Sequence, residues 1–181
     1  MRAIAGSWLW TGDPDEPPLQ NGALVFDEHA AVVAVGPAPA LRARFSSVVW
    51  QKHAAVLLPG LVNAHTHLEL SGLRGLVPGG RGFSPWVDAL MRLRAQRSAD
   101  QDGEAIDEGV SELLAAGVVA VGDVCNQLKV VDALSAVPLA ARVFHEVFGM
   151  RRETAEAALG IVDRERETHA KFPAHVRYAV A

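Results

Sequence analysis

Leu58-Pro59-Gly60-Leu61-Val62-Asn63-Ala64-His65-Thr66-His67 is the stretch on which the reading of this chain turns. The run from Leu57 to His67 is apolar and predicts a β-strand. Side chains alternate along a strand, so His65 and His67 project to the same side. Two neutral imidazoles placed like this suit one divalent metal, zinc first among them and iron or manganese as alternatives. A His-x-His pair also occurs on surfaces and in packed cores. Its place at the C-terminal end of an apolar strand, after Pro59-Gly60, favours the ligand reading, because active sites of barrel enzymes lie at that end.

Upstream of this stretch the texture is β-rich. Ala3 to Thr11 predicts a strand, with Trp8 and Trp10 as core side chains. Ala23 to Asp27 and Ala31 to Val35 predict a hairpin, stopped by Gly36-Pro37-Ala38-Pro39, and Val48-Val49-Trp50 starts another short strand. Downstream, apolar runs alternate with helical patterns, as in βα units around a parallel sheet. A glycine-rich loop (Gly72 to Gly82) leads to a helix opened by Ser84-Pro85, on which Trp86, Leu90 and Leu93 share a face. A helix from Asp102 to Ala116, a strand from Val118 to Val124, a short helix around Leu128 to Leu134 and a strand from Leu139 to Phe148 follow. A helix from Thr154 to Lys171 and a strand from Val176 to Val180 complete the series.

The fold class expected is α/β. Residues 1–58 read as part of a small β-sandwich domain and 59–181 as about four βα units of a TIM-type barrel. A closed barrel needs eight such strands, so the chain is either an open four-stranded α/β sheet or the truncated first half of a barrel. Self-association or a missing C-terminal half is the expected partner.

Composition narrows the function classes. The 181 residues are 50% hydrophobic by type, which argues against disorder. Basic and acidic residues number 17 and 21, a net charge of −4, so nothing attracts nucleic acid or an anionic membrane. One cysteine, Cys125, leaves no intrachain disulfide, and no run approaches a membrane span. A cytoplasmic location is expected.

Other polar residues fall near the same strand ends. Glu69 keeps the parity of His67. On the third strand of the series, Arg142, Phe144, Glu146 and Phe148 share one face, and His145 shares the other with Val143 and Val147. Glu146 reads either as a site residue or as an ion-pair partner of Arg142. Asp123 reads as a loop cap or as a contact to metal or substrate, and Cys125 as a small buried filler. Arg74 and Arg81 lie on the glycine-rich loop, and Asp163 to Glu167 as a solvated helix face.

Pro59 to Leu70 resembles the first-strand signature of the amidohydrolase superfamily, and the segments Gly22 to Val25 and Val33 to Gly36 are similar to its small N-terminal β-domain. His65-Thr66-His67-Leu68-Glu69-Leu70-Ser71 and Gly82-Phe83-Ser84-Pro85-Trp86 resemble the cytosine/guanine deaminase and chlorohydrolase branch, in particular aminofutalosine and S-adenosylhomocysteine deaminases. The resemblance implies a metal-dependent hydrolase acting on C–N or C–Cl bonds, chiefly as a deaminase of aminated heterocycles. It implies His65 and His67 as the first metal ligands, with later ligands and the proton-shuttling glutamate beyond Ala181. It also implies substrate contacts by Glu69 and Trp86, although Trp86 equally fits a helix core. The rival expectation is an inactive relative that binds a metal or metabolite or serves as an assembly partner.

Overall fold

The computed structural model describes residues 1–147, 152–168 and 172–181. The chain forms two compact units, Met1–Pro59 and Gly60–Ala181.

In the first unit, β1 (Arg2–Leu9) is the central strand. The short β2 (Leu19–Gln20) and β3 (Gly22–Phe26) run antiparallel to it, and β4 (Val32–Pro37) runs antiparallel to β3. The β3–β4 hairpin is closed by Asp27, whose Oδ1 accepts the His29 and Ala31 N–H groups at 2.9 Å each. The expected stop at Pro37-Ala38-Pro39 is instead a helix start: α1 spans Ala38–Arg44. Proline is tolerated there because the first N–H groups of a helix have no partner within it. Ala38 and Leu41 of α1 pack on Ala3, Ala5, Ala23 and Val25. The unit is therefore one sheet with a helix on it, and no second sheet is present among its described residues. Trp8 and Trp10 are not core: they are 43% and 41% exposed, and the side chains buried on β1 are the small Ala3 and Ala5.

The strand expected from Leu57 to His67 is two strands. β5 (Val49–Leu57) pairs in parallel with β1 and carries His53. The chain breaks at Leu58-Pro59-Gly60, where proline has no N–H to give a ladder. β6 (Leu61–Thr66) then opens the second unit.

That unit is a four-stranded parallel sheet in the order β6-β7-β8-β9, with β7 at Val118–Cys125, β8 at Ala140–His145 and β9 at Val176–Val180. Between the strands come a 3₁₀ turn (Leu68–Leu73), α2 (Phe83–Arg94), α3 (Ala99–Ala115), α4 (Val130–Ser135) and α5 (Arg152–Thr168). Ser98 and Gln101 form a reciprocal capping box at the start of α3, and Gly117 leaves it at φ 76°. Val121, Cys125, Ala141, Val143 and Val176 on one sheet face pack against Leu68, Ile106, Val110, Leu128, Val131 and Leu134. The other face is open: Val62 is 67% exposed, and Arg142 and Arg177, paired in register, are exposed beside it. Parallel sheets ordinarily have both faces covered. Phe148, His169 and Lys171, assigned above to a strand and a helix end, lie outside the described residues.

Candidate functional site

All four strands of the second unit are parallel, so their C-terminal ends meet along one edge of the sheet. His65 and His67 stand on this edge, with ring centroids 5.1 Å apart and planes at 73°. A zinc ion about 2.1 Å from one nitrogen of each ring, at the tetrahedral angle, sets the centroids about 5 Å apart. The separation of the two rings matches that distance. Among the described residues no group of three or more His, Cys, Asp or Glu side chains surrounds a common point, so the remaining positions are not supplied there.

Plain alternation would put His65 and His67 on the face of Asn63. The register shows otherwise. Asn63 pairs with Val121 and Thr66 with Asp123, so three steps of β6 match two of β7. The extra residue is a β-bulge, which re-aims the side chains that follow. Val121 and Asp123 both belong to the buried face. His65 and His67 flank Thr66 and so point to the opposite, open face.

Two residues beyond His67 the chain is no longer a strand. Glu69 sits in the 3₁₀ turn and is 8% exposed. The parity argument that aimed it at the same mouth as His67 therefore fails, because a 3₁₀ turn has a period of three. Its Oε1 pairs with Arg94 Nη2 at 2.8 Å, and both its oxygens lie 3.2 Å from the Asn126 amide nitrogen, which donates. Burial raises the Glu69 pKa from its ordinary value, while Arg94 and the amides of Asn126 and Gln127 pull the other way.

Asn126 is the residue that sequence reasoning missed. Its Oδ1 accepts from Arg94 Nη1 at 2.7 Å, and its Nδ2 donates to the Glu146 carbonyl at 3.1 Å. Its own carbonyl faces His145 Nε2 at 3.2 Å. That nitrogen donates to the carbonyl, and His145 Nδ1 lies 3.2 Å from the Tyr178 hydroxyl. One asparagine thus ties together α2, the end of β7 and the end of β8. The only sequence signal was a polar residue directly after the buried Cys125. Arg94, Asn126, His145 and Glu146 line a cleft of about 380 Å³ with Met91, Ile161 and Val162.

Glu146 lies on this cleft, with its carboxylate 3.5 Å from Asn126 Nδ2, and no ion pair joins it to Arg142 among the described residues. Asp123 is wholly buried. Its Oδ1 accepts the Leu68 N–H at 2.7 Å, which anchors the 3₁₀ turn, and its Oδ2 has no hydrogen-bond partner among the described residues. Burial, with the Glu69 charge adding to it, pushes the Asp123 carboxyl up to about 7. Cys125 is fully buried and its thiol pKa is raised by that burial.

Trp86 is 38% exposed and stacks on Phe83, with centroids 6.2 Å apart. The helix it occupies starts at Phe83 with Gly82 as N-cap, at φ 92°, so Ser84 is not the cap. Arg74 pairs with Glu112, and Glu165, expected on a solvated face, accepts the Leu128 N–H at 3.0 Å.

No protein-family model matches the chain. An adenosine deaminase of Helicobacter pylori is 33% identical over 132 residues, 72% of this chain and 31% of that protein. The crystal structure of Helicobacter pylori aminofutalosine deaminase in complex with methylthio-coformycin is similar over 99% of this chain and 43% of its own, at 25% identity and a TM-score of 0.82. The chain is a relative of the amidohydrolase superfamily, matching its N-terminal portion. It spans about a third of the length of the curated relatives it matches. A zinc-complexed atrazine chlorohydrolase from Arthrobacter aurescens shares the fold at 16% identity, with a TM-score of 0.73 and 46% of its chain covered. No described helix of this amidohydrolase relative is long and apolar enough to cross a membrane.

Proposed function

We propose that the chain carries the first part of a metal-dependent hydrolase that removes an amino group from a heterocycle such as an aminated purine nucleoside. The observation that carries this reading is the His65–His67 pair, 5.1 Å apart at the C-terminal end of β6, in a chain whose relatives are deaminases. His65 and His67 would hold one divalent ion, zinc first. When bound, such an ion supplies a water acidified enough to attack an sp² carbon at neutral pH.

Arg94 and the Asn126 amide hold the Glu69 carboxylate in one orientation, as an acceptor for a substrate hydroxyl or amine. Glu146 offers a second acceptor at the cleft. The Trp86 ring, exposed beside Phe83, gives a flat apolar surface for a heterocycle.

The test is ammonia release from adenosine by the zinc-loaded chain, beside the His65→Ala, His67→Ala double variant. Release by the parent chain alone supports the reading. A second reading, an inactive metal-binding relative, is favoured by the lack of a third ligand near the pair among the described residues. Stoichiometric zinc uptake with no ammonia from any aminated purine nucleoside selects it.

A further inference from the structure

The bulge in β6 needs room. Its extra residue drives the Ala64 carbonyl toward β7, and the residue that faces it there is Gly122. A Cβ placed on Gly122 would lie 2.6 Å from the Ala64 oxygen and 3.2 Å from its carbonyl carbon. Both are backbone atoms, so no side-chain rotation relieves the clash. Gly122 has no positive φ among the glycines of this chain, so conformational freedom does not explain it. What it supplies is the missing side chain.

We propose that Gly122 is a positioning residue for the metal pair: it admits the bulge that turns His65 and His67 onto the open face of the sheet. An opposite shift lies just upstream, where the single step Leu61 to Val62 matches the two from Val118 to Ala120. With that shift and the Asn63–Val121 pair kept, removing the bulge makes pairing continue one to one from Asn63–Val121. Ala64 then stands opposite residue 122 and His65 opposite Asp123. That register carries His65 and His67 to the face of Asp123 and Cys125, which is fully buried. A pair of imidazoles there is walled off from solvent and from any substrate. The metal half of this inference rests on the reading of His65 and His67 as ligands. The geometric half does not.

The experiment uses the whole 181-residue chain, isotopically labelled, and reads two quantities. The first is the nuclear Overhauser contact between the His65 and His67 ring protons without metal. The second is zinc affinity by calorimetry. The parent chain shows both. Gly122→Ala, still folded by circular dichroism, loses the ring contact and binds zinc about tenfold or more weakly, as lost ligand support does elsewhere. Gly103→Ala on α3, where nothing lies within 4 Å of the added methyl, keeps both. Deleting Ala64 from the Gly122→Ala chain removes the obstructing residue and restores both readouts, and restores folding if Gly122→Ala alone does not fold. The inference is overturned if folded Gly122→Ala keeps the ring contact, or if the deletion rescues nothing. If the ring contact behaves as expected while the parent chain takes up no zinc, the ligand reading falls and the positioning role of Gly122 stands.

Discussion

His65 and Glu69 are four residues apart and in opposite physical states. His65 is exposed, and its ring meets only the His67 ring in the described contacts. Glu69 is 8% exposed, ion-paired with Arg94 and hydrogen-bonded by the Asn126 amide. The chain has completed the surroundings of the carboxylate from its own α2 and β7. It has not done so for the imidazoles. A buried charge must be compensated inside the fold, whereas imidazoles on an open face are in reach of water and carry no such requirement. The Glu69 carboxylate is therefore held in place by the fold, while His65 and His67 stand on the open face of the sheet.

The sharpest way to break that contrast is to remove the compensation. Arg94→Ala leaves Glu69 buried beside Asp123 without its cation, and should cost about 4 kcal/mol in urea unfolding. A loss below about 1 kcal/mol would show that water reaches Glu69 and that the carboxylate is not preorganised. Glu69→Gln should cost clearly less, because Arg94 keeps Asn126 Oδ1.

A somewhat smaller effect is expected from pH. The Asp123 pKa rises on folding to about 7, so the folded chain holds that proton more tightly than the unfolded one. The stability this contributes is fully present below about pH 4, where both states are protonated, and is lost as pH rises through 7. Asp123→Asn keeps an oxygen for the Leu68 N–H and removes the titration. Between pH 4 and 8 the metal-free parent should lose on the order of 3 kcal/mol relative to this variant. Parallel pH profiles would contradict the buried, unpartnered oxygen. The smallest effect belongs to the other Arg–Glu pair: Arg74 and Glu112 meet on the surface, and Arg74→Ala should leave the melting temperature unchanged within error.

How far these features could be read in advance depended on whether they are local. The βα rhythm of β6 to β9 follows from apolar runs and helix caps, and β9 lies at Val176–Val180 as its residues suggest. The shared side of His65 and His67 follows from their spacing. Their face does not, because the bulge is a property of two strands: Asn63 and Thr66 show nothing until their partners Val121 and Asp123 are known. The parity of Glu69 with His67 holds only for a continuing strand, and the 3₁₀ turn that buries Glu69 is fixed from outside by Asp123 Oδ1 on the Leu68 N–H. Asn126 escaped notice because each of its bonds reaches a residue at least 19 positions away. The helix α1 was lost to Pro37 and Pro39, which end a strand and begin a helix equally well.

The central claim is that His65 and His67 form half of a metal site on the open face of the sheet. Elemental analysis of the purified 181-residue chain, beside the His65→Ala, His67→Ala double variant, tests it most directly. The account predicts about one zinc or iron per chain, lost in the double variant, which remains folded. No metal in the folded parent chain after zinc loading, or equal metal in the two, would contradict it.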